Sequence, residues 1–214
     1  MRMLKLIDNL IVRETLTSIR RKGVGAADFR RGLSELGRYM AYEFADTLNY
    51  RDVEVETPLG VAGGVEISDR ERMVVVSILR ASLPFSEGVM KVFPEAHHGI
   101  IGARRSDEPP FNVSIDYIRM PRLDGRILVV ADPMLATGNT MLGILEELGG
   151  FGSPDRTVIF NVLSSREGLE RVLRRDLEVY TCGVDDKLND RGYIVPGLGD
   201  AGDLAFGRPS ECRK

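Results

Sequence analysis

The sequence predicts an α/β fold built on a mostly parallel, twisted sheet flanked by helices. Three observations carry that expectation. Apolar runs of strand length recur at 73–79, 127–131 and 156–163, rich in Val and Ile as in strands covered on both faces. Between them lie segments whose apolar residues repeat at helical steps, such as Phe85, Val89, Val92 and Phe93. Strands that alternate with short helices favour parallel pairing through right-handed crossovers. A chain of 214 residues buries a substantial core, sufficient for one domain with an appendage.

Taken in order, residues 8–21 form a helix with Leu10, Ile11, Thr15, Leu16 and Ile19 along one side. Asp8 or Asn9 opens it as cap, and the run from Lys22 to Gly25 breaks it. A second helix carries Phe29, Leu33, Leu36, Met40, Phe44 and Leu48 and ends near Asn49. Val53, Val55 and Thr57 then alternate with acids, Pro58 and Gly60 punctuate, and 61–67 returns. That pattern reads as a β-hairpin or an arm able to pack on another subunit. After the strand at 73–79, Pro84 suits a first helical turn, and a short strand spans 98–103. The polar stretch 106–110 reads as an exposed loop, and Val113, Ile115 and Tyr117 alternate as a further strand. Beyond 127–131, Met141, Ile144, Leu145 and Leu148 have helical spacing, stopped by Gly149 and Gly150. Ser164 with Glu167 makes a capping box for a helix carrying Leu169, Val172 and Leu173, and 177–182 is the next strand.

The turn between the strand at 127–131 and the helix after it holds the most chemistry. Unpaired NH groups and the dipole at a helix N-terminus favour an anion, and Gly138 lets a phosphate approach the backbone. Thr137 and Thr140 add hydroxyl donors. Asp132 sits at the carboxyl end of the strand, where open α/β sheets bind ligands, and suits the vicinal hydroxyls of a ribose. The alternative is an ordinary turn in which Asp132 and Thr137 only cap the helix. The tail, 183–207, is polar and glycine-rich, and by composition alone it is a loop.

Three stretches resemble a known family. Asp132-Pro-Met-Leu-Ala-Thr-Gly-Asn-Thr140 resembles the phosphoribosyl diphosphate loop of the type I phosphoribosyltransferases, and its single Asp followed by Pro resembles the uracil phosphoribosyltransferases. Tyr193-Ile-Val-Pro-Gly-Leu-Gly-Asp-Ala-Gly-Asp203 is similar to the uracil-binding segment of that family, and Ile78-Leu-Arg-Ala81 is the third match.

The resemblance implies a type I phosphoribosyltransferase fold, with a β-arm and a hood made from the N-terminal helices and the C-terminal segment. It implies one domain over 1–214, with its core at about 70–182 and hood and arm from about 1–69 and 183–214. The implied reaction is transfer of phosphoribosyl from 5-phospho-α-D-ribose 1-diphosphate to N1 of uracil, giving UMP and diphosphate, with magnesium (Mg2+) on the diphosphate. The phosphoribosyl diphosphate site then comprises Arg80, Arg105, Asp132, Pro133, Met134, Leu135, Ala136, Thr137, Gly138, Asn139, Thr140 and Asp200. Uracil meets Ile194, Gly199, Asp200 and Ala201, whose backbone groups offer a donor to O4 and an acceptor for N3–H, the reverse of what cytosine needs. Arg105 and Asp200 are the catalytic residues, in electrostatic roles with no general base assigned. Charge develops on the ribose and the departing diphosphate, and the guanidinium fork matches phosphate oxygens. A homodimer or homotetramer, and a GTP or CTP effector, follow from the resemblance alone, with no effector site located. The chain departs from the family at Ser82, where Gly is usual, and at Asn139-Thr140, where Gly-Ser is common. It departs again at Arg104-Arg105, which leaves Arg104 as an alternate to Arg105, and at Leu204 and Arg208.

Composition narrows the function class. A net charge of -3 and a pI near 5.6 give no global basic field, against a dedicated nucleic-acid binder. That balance, with the retained uracil segment, also opposes the competing reading of a ligand-sensing regulator acting on RNA or DNA. Cys182 and Cys212 have neither metal-ligand spacing nor a disulfide framework. No apolar run approaches the roughly 20 residues of a membrane span, and the N-terminus lacks a signal-peptide core, so a cytoplasmic protein is expected.

Overall fold

The structure, a computed structural model, describes residues 3–106 and 113–208, and of Arg105 the backbone alone. The chain begins with β1 (Met3–Leu6), α1 (Leu10–Ile19) and α2 (Ala26–Ala45), followed by the hairpin of β2 (Tyr50–Thr57) and β3 (Gly60–Ile67). The core follows with β4 (Met73–Leu79), α3 (Ser82–Val92), β5 (His97–Arg105), β6 (Val113–Arg119), β7 (Ile127–Ala131), β8 (Met134–Leu135) and α4 (Asn139–Leu148). Then come β9 (Arg156–Asn161), β10 (Leu163–Ser165), α5 (Arg166–Leu173) and β11 (Glu178–Thr181). The chain ends with β12 (Val184–Asp185), β13 (Lys187–Leu188), β14 (Ile194–Val195) and α6 (Ala201–Phe206).

Among the described residues the main sheet runs β1-β11-β9-β7-β4-β5-β6, parallel except for β6 against β5. The alternation of side chains splits the core in two. Val75, Val129 and Phe160 face α1, α2 and α3, whereas Val76, Val130 and Ile159 face α4 and α5. This two-sided burial is why the strands read as unbroken apolar runs. On the first face Phe44 of α2 meets Phe93, Phe160 and Tyr180 edge-on, an aromatic anchor of the kind whose truncation to Ala costs roughly 3–5 kcal/mol. From β4 the chain moves outward to β5 and β6, then returns to the other flank of β4 at β7. The crevice beyond the carboxyl ends of β4 and β7 is therefore the topological switch point of the sheet.

Several local expectations change. α2 ends at Ala45 and not near Asn49, because Asn49 N donates to Asp69 Oδ2 at 2.8 Å and turns the chain toward the hairpin. The run 156–163 is two strands, since Val162 N and Leu163 N both donate to the Pro133 carbonyl and break the ladder. Ser164 does not cap α5. Its hydroxyl donates to Asn161 Oδ1 inside β10, and the cap is Ser165, whose Oγ accepts from Gly168 N at 2.9 Å. Asn9 caps α1 through Val12 N, and Gly25 opens α2. The tail is no loop by structure, holding three short strands and α6. The loop expected at 106–110 falls, beyond Ser106, outside the described residues. Cys182 is a free, buried thiol, and Cys212 lies outside the described residues.

Candidate active site

The switch point opens into a cleft of about 450 Å³. One wall is the end of β4 with Arg80 and Ala81, another is the turn from Asp132 to Thr140, and Gly192–Asp203 closes the third side. A larger hollow of about 620 Å³ lies between α1 and α2, lined by Arg21, Lys22 and Arg31 together with Glu14, Asp28 and Glu35. It holds none of the strand-end residues on which the sequence reading rests.

The turn after β7 is held rigidly from behind. Asp132 N donates to the Phe160 carbonyl at 3.0 Å, and Pro133 O accepts from β10 as described above. β8 pairs with β10, which pairs with β12, so the turn is stitched into a small parallel sheet of its own. The Ser165 hydroxyl also donates to the Ala136 carbonyl. Gly138, at φ 80°, is the residue before α4, and its left-handed backbone is what glycine adopts without strain. The Thr137 Oγ1 accepts from Asn139 N at 3.3 Å, and Asn139 Oδ1 in turn accepts from Arg171 of α5. The first turn of α4 thus points the positive end of its helix dipole at the cleft.

Asp132 is half-buried at the cleft floor, and burial pushes its carboxyl up to about 7, only partly offset by the hydrogen bond from Met134 N. A carboxyl in this state wants a partner. Hydroxyl donors or a cation brought by a ligand would favour its ionised form.

The opposite wall belongs to the tail. Ile194 is buried, and β13 and β14 pair as a hairpin around Asn189, whose Oδ1 accepts from Arg191 N and Tyr193 N. Asp200 caps α6 by accepting from Asp203 N at 2.8 Å, while Tyr193 OH lies 3.4 Å from its other oxygen. The spacing of Asp200 and Asp203 is the sequence signal that could have revealed α6. Arg80 reaches across from β4, donating to Asp203 Oδ1 at 3.2 Å and to the Gly207 carbonyl at 3.3 Å. The Leu79–Arg80 peptide is cis, as is Val195–Pro196.

Of the expected site residues, Arg80, Asp132, Met134, Leu135, Ala136, Thr137, Thr140, Ile194, Gly199, Asp200 and Ala201 line this one cleft. Pro133, Gly138 and Asn139 are not among its lining and instead shape the turn behind it. The Arg105 side chain lies outside the described residues, whereas Arg104, its alternate, lines the cleft with Nε 3.8 Å from Asp116. Gly202 and Asp203, which the sequence reading included in the matched segment without a site role of their own, line the cleft from α6. Ser82, a departure from the family resemblance, is fully buried with its hydroxyl donating to the Ile78 carbonyl.

Comparisons with known proteins identify the family. The family model described as uracil phosphoribosyltransferase matches residues 6–208. A uracil phosphoribosyltransferase of Methanothermobacter thermautotrophicus is 75% identical over 209 residues, covering 98% of this chain and 97% of that protein. One from Pyrococcus furiosus is 44% identical over 205 residues, covering 94% and 88%. Among solved structures, the AQ2163 protein from Aquifex aeolicus superposes with a TM-score of 0.88 at 34% identity, covering 96% of this chain and 98% of that one. A hypoxanthine phosphoribosyltransferase from Staphylococcus aureus shares the fold alone, with a TM-score of 0.51 at 12% identity over 84% and 83% of the two chains. With a type I phosphoribosyltransferase sheet and a match over nearly its whole length, the chain belongs to the uracil phosphoribosyltransferase family.

Proposed function

We propose that this cleft binds phosphoribosyl diphosphate along the 132–140 turn and uracil along the 192–203 segment. The reaction is the one its family is named for, transfer of phosphoribosyl to N1 of uracil, giving UMP and diphosphate. One observation supports the site assignment above the others: two segments more than fifty residues apart line a single cleft at the switch point of the sheet.

In this reading the 5-phosphate sits on the NH groups from Ala136 to Thr140 and on the Thr137 and Thr140 hydroxyls. Asp132 accepts from the ribose hydroxyls. Ile194, Gly199 and Ala201 present backbone donors and acceptors to O4 and N3–H of uracil, with Asp200 at the ribose side. The ring nitrogen is then held facing the anomeric carbon, which supplies orientation. As the bond to diphosphate breaks, the electron pair leaves with the diphosphate and N1 forms the new bond, its proton passing to the departing diphosphate or to water. Arg80 and Arg105, or Arg104, stabilise the charge that develops on the leaving group. Arg80 must exchange its contact with Asp203 for diphosphate oxygens, so substrate binding and the setting of α6 are coupled.

Among the described residues no group of three or more His, Cys, Asp or Glu is placed to hold a metal. Asp132 and Asp200 nevertheless offer hard carboxylate oxygens at the cleft, a donor set that suits magnesium carried in mainly by the substrate's own oxygens. When bound, magnesium neutralises part of the diphosphate charge.

The same reading takes residues 1–214 as one domain, with the hairpin of β2 and β3 as an arm and the hood formed by the ends of the chain. A homodimer or homotetramer, regulation by GTP or CTP and a cytoplasmic setting belong to this proposal. Among the described residues no helix is long and apolar enough to cross a membrane. The test is an assay of the protein with magnesium, phosphoribosyl diphosphate and each of uracil, cytosine, hypoxanthine and orotate. UMP from uracil alone is expected, and product from another base would overturn the base assignment.

A further inference from the structure

The two walls of the cleft are far apart in sequence, yet nucleotide formation needs them at a fixed separation. A short chain of contacts behind the cleft spans that gap. On the phosphate side, the Ser165 hydroxyl of β10 donates to the Ala136 carbonyl. Ser165 pairs directly with Asp185 across the β10–β12 ladder. Asp185 then turns its side chain to the base side, where Oδ2 accepts from Gly197 N at 2.8 Å. Its other oxygen, Oδ1, accepts from Arg20 Nη2 of the C-terminal end of α1 at 3.1 Å, and the carboxylate side chain is only 11% exposed. Gly197 packs close against the turn's own backbone, where a Cβ would stand 2.0 Å from the Ile194 carbonyl oxygen. Ile194 itself lines the cleft.

We infer that Asp185 is a positioning residue for the base: it fixes the 194–197 turn, and with it the uracil-facing backbone, relative to the phosphate turn. Arg20 is its anchor. The guanidinium Nε is buried without a hydrogen-bond partner among the described residues, so the Asp185 oxygen is the contact that orients this side chain. The hood helix α1 thereby reports to the base site without touching substrate. This inference rests on the assignment of uracil to the 192–203 segment.

The test compares Asp185→Ala, Asp185→Asn and Arg20→Ala with the wild-type protein in initial-rate assays that vary uracil and phosphoribosyl diphosphate separately, with thermal unfolding alongside. Losing a hydrogen bond to a charged group of this kind should raise the KM for uracil about tenfold or more in D185A, leaving the KM for phosphoribosyl diphosphate within about twofold. Asn keeps an acceptor for Gly197 N–H, so D185N should recover most of the uracil affinity. R20A should move the uracil KM in the same direction by less. Should D185A fail to fold, R20A still carries the comparison, because a merely structural role would raise both KM values together. A uracil KM unchanged in both D185A and R20A, or equal rises for both substrates, overturns the inference while wild-type turnover keeps the base assignment standing. A wild-type protein that makes no UMP overturns both.

Discussion

The two walls of the cleft are built by opposite means. The phosphate wall is a strand, a tight turn and a helix, contiguous in sequence and fixed by backbone hydrogen bonds to β9 and β10. The base wall is held largely by side chains, Asn189, Asp185 and Asp200, each accepting from a backbone NH of the tail. In the proposed reading the sugar phosphate would thus meet a feature the main sheet imposes. The base would meet an attachment whose shape depends on a few carboxylates and amides. A fold with this division can keep one half of its chemistry and exchange the other, and mutations on the two walls should separate kinetically.

The largest expected effect breaks the phosphate wall. Asp132→Asn should lower kcat/KM for phosphoribosyl diphosphate by about a hundredfold, a loss typical of one preorganised polar group at a reacting centre. It should also stabilise the fold. The folded carboxyl holds its proton up to about pH 7, whereas the unfolded one releases it near 3.8. Between those values the native state binds more protons than the unfolded state, so stability falls as pH rises. Asn carries no such cost. Thermal melts should therefore show D132N gaining on the wild type from about pH 4 to 7, with a constant advantage above 7.

A matched pair of glycines sharpens the comparison. A Cβ at Gly168 would stand 2.1 Å from the Ala136 carbonyl oxygen, and one at Gly197 would stand 2.0 Å from that of Ile194, where φ is also +59°. Both clashes are with backbone, so the wall itself must shift. Gly168→Ala should raise the KM for phosphoribosyl diphosphate about tenfold with little change for uracil, and Gly197→Ala should do the reverse. Equal effects on both substrates would dissolve the distinction between the walls.

Protonation offers a milder probe. If Asp132 meets the ribose hydroxyls as proposed, its ionised form is the one favoured, so binding must first remove its proton at low pH. The KM for phosphoribosyl diphosphate should rise by up to about tenfold per unit as pH falls below 7, and D132N should lose that component. The smallest effect is expected at the helix cap behind the wall. Ser165→Ala removes the acceptor for Gly168 N and the donor to Ala136, and should cost about 1–2 kcal/mol in denaturant unfolding.

The difference between the walls also explains what could be read from the sequence. The 132–140 turn was legible because everything it needs is local: a buried strand, an acid at its end, a glycine and a helix. The segment 193–203 was legible only by its resemblance to a family, since its polar, glycine-rich composition reads as a loop. Asp185 escaped notice, and the pairing of Asp203 with Arg80 could not be read, because the partners, Arg20, Gly197 and Arg80, come from elsewhere in the chain. β1 escaped for a related reason. It is short, largely exposed, and stabilised by pairing with Glu178–Thr181 at the far end of the domain core. The cap of α5 shows the limit of local pattern: Ser164 and Ser165 are both plausible caps, and the strand pairing of β10 decides which hydroxyl faces the helix.

The most direct test of the central claim is a crystal structure of the protein with UMP. The account predicts the phosphate on the NH groups between Ala136 and Thr140, the ribose hydroxyls on Asp132, and the uracil edge against the backbone of Ile194, Gly199 and Ala201. A nucleotide seated with its base on the 132–140 turn, or bound in the hollow between α1 and α2 with the cleft passed over, would contradict it.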